Sequence, residues 1–77
     1  MDLAEAKKKF PPIWVIYDHP KDFPDSVVVR IWWGEVPDTL TQHFLSVDAA
    51  RRHMLYRGRV PLARDKSDDP CIVESWI

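Results

Sequence analysis

Asp18, His19, Asp22 and Asp25 place oxygen and imidazole donors within eight residues, a spacing that a loop can fold around a cation. A plainer use competes. Aspartates in proline-containing turns cap their own backbone amides, and His19 precedes Pro20. No metal ligand is therefore assigned. A nucleophile with a base is the second chemistry to weigh, since Ser26, Ser46, Ser67, Ser75 and Cys71 coexist with His43 and His53. No serine sits in a G-x-S-x-G elbow, and Cys71 lies in an apolar stretch where thiols are normally inert. The chain also looks too small for a ligand pocket of roughly 300–1,000 Å3. No catalytic residue, cofactor or small-molecule substrate is expected.

The third candidate is charge. Residues 51–66 hold Arg51, Arg52, Arg57, Arg59, Arg64 and Lys66 against the single acid Asp65, a net +5. The whole chain carries −1, so the remainder carries −6. Arg52, Arg57, Arg59 and Arg64 are the residues that would meet a phosphate backbone or an acidic protein surface. Bulk attraction to nucleic acid or anionic lipid is excluded by the overall charge, and no known nucleic-acid docking motif is present. A nucleic-acid role is therefore the alternative reading, not the first.

Composition narrows the field further. Seventy-seven residues, of which 45% are hydrophobic, make one globular domain of slim stability, roughly 4–11 kcal/mol. Two glycines cannot build a phosphate-cradling loop, which excludes Walker-type and dinucleotide fingerprints. One cysteine excludes an internal disulfide framework and a multi-cysteine zinc site. No apolar run approaches the ~20 residues that span a bilayer, and residues 1–9 lack the pattern of a secretory signal. A cytoplasmic location without membrane contact is the default expectation. Four tryptophans are many for this length, and each must enter a core or an interface.

The elements follow from pattern. Residues 1–12 read as a mobile N-terminal tail, stopped by Pro11 and Pro12, ahead of a single domain over 13–77. Strands are expected at Ile13–Tyr17, Ser26–Trp33 and Thr39–Leu45, with a turn over Glu35–Asp38. Ser46 predicts a helix N-cap, and Gly58 a left-handed C′ position after Arg57. On that helix Val47, Ala50 and Met54 share a face, and Arg51 falls close enough to the apolar stripe to need a carboxylate or to snorkel. Cys71–Ile77 reads as a last strand inside the sheet. The order β-β-β-α-β predicts an α+β fold, an antiparallel sheet of about four strands with one helix packed on one face.

A one-sided helix leaves the other sheet face open. Alternation puts Val27, Val29, Ile31 and Trp33, with Cys71, Val73, Ser75 and Ile77, toward the helix. The outward rows are then Val28, Arg30, Trp32 and Ile72, Glu74, Trp76. If these strands are neighbours, Arg30 and Glu74 pair across them between Trp32 and Trp76. Adjacent Trp32 and Trp33 cannot both face the core, so one needs cover elsewhere. Tryptophan and arginine are the residues most enriched at interface hot spots. Trp32, Trp76, Arg30 and Glu74 are therefore the expected contact set for another protein or a second copy of this chain.

The segment Trp14 to Trp32 resembles the run I-Y-x-H-P-x-D-x-P-D-x-x-V-x-R-x-W of short uncharacterised bacterial and phage-borne proteins. Their D-D-P and I-V-E-x-W-I endings are similar to Asp68-Asp69-Pro70 and Ile72–Ile77. The likeness covers about half the chain. It implies a small α+β protein of phage or prophage origin and brings no activity or catalytic residue with it. By analogy of class, such a protein acts by binding a host protein.

Overall fold

Hydrophobic alternation and two capped helices organise the chain in the computed structural model, which describes residues 1–62 and 71–77. The order is α1 (Leu3–Lys9), β1 (Pro12–Asp18), β2 (Val27–Trp33), β3 (Val36–Phe44), α2 (Val47–Tyr56), β4 (Pro61–Leu62) and β5 (Ile72–Trp76). The strands form one antiparallel sheet in the order β3-β2-β1-β5-β4. The class is α+β, as the pattern predicts, with one more helix and one more strand than expected.

α2 forms where both of its end signals stand. The Ser46 hydroxyl accepts from the Ala49 amide at 3.1 Å. At the other end Gly58 adopts φ +74°, and the amides of Gly58 and Arg59 donate to the carbonyls of Leu55 and Met54. That pair of bonds is a Schellman cap, open to glycine because its C′ residue is left-handed. Ala50 and Met54 bury against Ile16, Val27, Val29 and Trp76, with Trp14, Phe44, Val47 and Val73 around them.

Where a mobile tail is expected, residues 3–9 form α1. Asp2 caps it by accepting from the Glu5 amide at 2.8 Å. The helix is too short to hold in isolation; it is held by what it docks on. Ala6 is 0% exposed, the Lys7 ammonium lies 5.7 Å from the Trp33 ring centroid, and Lys7 Nζ is 3.5 Å from Asp38 Oδ2. Phe10 closes on Gly34, where an added Cβ would sit 2.8 Å from the phenyl ring. Gly34 also takes φ +67° at the first position of a two-residue hairpin turn, which favours glycine there. The turn is therefore Gly34-Glu35, and Val36, Pro37 and Asp38 belong to β3 instead of to a longer loop.

Both helices lie on one side of the sheet. In β2, Val27 and Val29 meet α2, and by alternation Trp33 on the same side meets α1. β5 does not follow simple alternation. Ile16 pairs with Glu74 but Tyr17 pairs with Ile72, so Val73 is one extra residue, a β-bulge. One inserted residue inverts the parity of everything beyond it.

Candidate binding surface

The bulge decides which side chains reach the open face. Trp76 pairs with Trp14 and turns to the helix side, where it is 3% exposed. Glu74 turns the same way, and its Oε1 accepts from Arg51 Nε at 2.6 Å. The expected outward row of Ile72, Glu74 and Trp76 is thereby corrected: of the three, only Ile72 shares the open face with Trp32, joined by Ser75. Arg30 and Glu74 do not pair either. β1 lies between their strands, and the Arg30 guanidinium bonds Asp22 Oδ2 at 3.0 Å. Trp76 is a core residue, and Glu74 anchors α2 to the sheet; neither belongs to an outward contact set.

The open face has two halves. At the Val28 end the loop over 19–26 folds back on it. His19 turns the chain with φ 51°, its amide bonds the Ser26 carbonyl, and Phe23 packs edge-on to His43 at 4.6 Å between centroids. Pro20 is buried and Val28 is left 1% exposed. Tyr17, Lys21, Asp22 and Arg30 surround a hollow of about 320 Å3 there, within the range of a ligand pocket, contrary to the expectation from chain length. This end of the face is covered by its own loop.

The other half has no such cover among the described residues. Ile13, Val15, Trp32, Ile72 and Ser75 line a shallow groove of about 370 Å3, with Glu35 at its end. Trp32 Nε1 donates to the Tyr17 hydroxyl at 3.0 Å, so the ring lies along the face. Beyond β5 the apolar surface continues. Val60 and Ile77 exchange both backbone hydrogen bonds, at 2.7 and 2.8 Å, and Leu62 pairs with Ser75. Directly paired residues share a face, so Val60, Leu62 and Ile77 join Ser75 on the open side, and all three are exposed. Pro61, between them, pairs with Trp76 on the helix side, where no ladder N–H is asked of it.

Val60, Leu62 and Tyr17 are absent from the sequence-derived contact set. The alternation Val60-Pro61-Leu62 was the available signal, but it is two residues of strand within a polar, charged stretch.

The basic segment is partly spent on structure. Arg51 is held by Glu74 and, at 3.7 Å, by Asp48; the Glu74 hydrogen bond and charge raise its already high pKa. The Arg59 guanidinium stacks on Trp14 at 3.7 Å from the ring centroid, where the Schellman cap delivers it. Arg52 and Arg57 are exposed, with no ion-pair partner among the described residues. Arg64 lies outside the described residues.

The groups that suggested metal or nucleophile chemistry are dispersed. Asp18 Oδ1 meets His19 Nδ1 at 2.5 Å, whereas Asp22 turns to Arg30. Among the described residues no group of three or more His, Cys, Asp or Glu is placed to hold a metal ion. His43 Nε2 lies 3.0 Å from Thr41 Oγ1, and His53 packs on Phe44 at 5.4 Å. No helix among the described residues is long and apolar enough to cross a membrane.

No protein-family model, curated protein or solved structure matches the chain.

Proposed function

We propose that this chain is a small non-enzymatic binding module that works by covering the apolar half of its open sheet face with another polypeptide. The observation that carries the reading is the sidedness of the sheet. Two helices bury one face, while on the other Ile13, Trp32 and Ile72, half-buried, line an open groove continued by exposed Val60, Leu62 and Ile77. A contiguous apolar patch of that kind on a small domain marks a contact surface. The chemistry offered by its polar residues is already committed: Ser46 caps α2, Glu74 holds Arg51, and Asp22 holds Arg30. Work in the cytoplasm, a phage or prophage origin, and a host protein as the foreign kind of partner are further parts of this reading. The last two rest on the resemblance of residues 14–32, 68–70 and 72–77 to short bacterial and phage-borne proteins.

Leu62→Lys tests it, because Leu62 is exposed and its loss costs the fold little. Wild-type chain should bind a partner, foreign or its own copy, that the folded variant does not bind. Equal binding by the two would end the open-face reading.

A further inference from the structure

We infer that the occupant of the open face is a second copy of this chain, packed face to face about a two-fold axis that runs across the strands. The inference rests on the open-face reading and goes beyond it by naming the partner.

Three features select this arrangement. The first is charge. Lys21 borders the Tyr17–Val28 end of the face and Glu35 the Trp32 end, and neither has an ion-pair partner among the described residues. A two-fold axis across the strands reverses strand direction, so Lys21 of each copy approaches Glu35 of the other, twice over. An axis along the strands would set Lys21 against Lys21. Isologous contacts need this self-complementarity.

The second feature is the state of the sheet edges. β4 contains Pro61, which has no backbone N–H to offer along that edge. β3 breaks register with β2 between Arg30 and Trp32, and its Leu40 amide is taken by the Asp38 carboxylate at 3.1 Å. Blunted edges of this kind disfavour edge-to-edge pairing, which leaves the face as the route to association.

The third is size. A standard interface removes about 800 Å2 per partner, roughly one-seventh of the 5465 Å2 surface of this chain. One side of a body measuring 32 × 27 × 25 Å is about one-sixth of its surface, so a standard interface takes most of this side, the outer surface of the 19–26 loop together with the apolar half.

The test uses charge reversal on exposed residues, followed by sedimentation or light scattering at low salt. Wild type should dimerise. Lys21→Glu alone and Glu35→Lys alone should each raise the dissociation constant about tenfold, since two weak attractions become two repulsions. Mixing the two variants should restore association, because only the heterodimer regains both opposite-charge contacts. A wild-type dimer that Leu62→Lys leaves intact, or variants that mixing fails to rescue, would overturn the arrangement. A wild-type monomer whose Leu62 is still needed to hold a foreign protein would overturn the second copy and keep the open-face reading. A monomer with no Leu62-dependent binding would sink both.

Discussion

The indole N–H of Trp32 donates to the Tyr17 hydroxyl at 3.0 Å although neither residue sits opposite the other: Trp32 pairs with Ile13, and Tyr17 with Val28. The two side chains lean toward each other along the open face, and Val15, between them in β1, is only 7% exposed. A lone tryptophan on an open sheet would have a mobile ring. This one is held in place before any partner arrives, which lowers the ordering cost of an interface. Tyr17→Phe removes the acceptor and leaves the indole N–H to weak solvation. Denaturant titration should show a loss of about 1 kcal/mol, and association should weaken along with it.

Trp32 and Trp76 should separate in their effects. Trp76 is core, so Trp76→Ala should cost about 3–5 kcal/mol of stability. Its buried Nε1 has no hydrogen-bond partner among the described residues, so Trp76→Phe should cost much less than truncation to alanine. Trp32→Ala should cost less stability than Trp76→Ala and abolish association. Thermal melts beside solution mass on the same samples separate the two roles.

Arg51 and Glu74 join α2 to β5, with the Arg51 side chain 44% exposed and the Glu74 side chain 18%. A double-mutant cycle on this pair should return a favourable coupling that shrinks in high salt. The same cycle on Arg30 and Glu74 should return none, because β1 separates them.

Asp38 latches α1. Its side chain is 7% exposed and accepts from the Leu40 amide, the Trp33 indole and the Lys7 ammonium. The Leu40 hydrogen bond first, then the Trp33 bond, hold its pKa below the ordinary 3.8 against the opposing effect of burial, with Lys7 adding to the lowering. A depressed folded pKa means that the stabilisation is present above the ordinary value and is lost as pH falls through the lowered one. The Trp33 indole N–H resonance should therefore shift with a midpoint below 3.8, and α1 should loosen in the same range. Asp38→Asn should abolish that transition.

Much of this architecture is legible in residue order. Ser46 and Gly58 bracket α2, and Val27 and Val29 face the core as alternation says. Arg51 finds the carboxylate that its place beside the apolar stripe demands. What escapes is set by contacts distant in sequence. α1 has too few residues to hold itself and exists through Trp33, Gly34 and Asp38, some thirty residues on. Val73 is an ordinary strand valine, and nothing local to it announces the bulge that sends Trp76 inward and Ser75 outward. The contact surface follows from it: Trp32 belongs to the open face, Trp76 does not, and Val60, Leu62 and Ile77 join it through the pairing of residues 60–62 with β5.

The most direct test of a face built to be covered by a second copy is solution mass across a concentration series, for wild type and Leu62→Lys side by side. The account predicts that wild type rises from 9.1 kDa toward twice that mass while Leu62→Lys stays at the monomer value. Two curves that remain at 9.1 kDa together, or climb together, would contradict it.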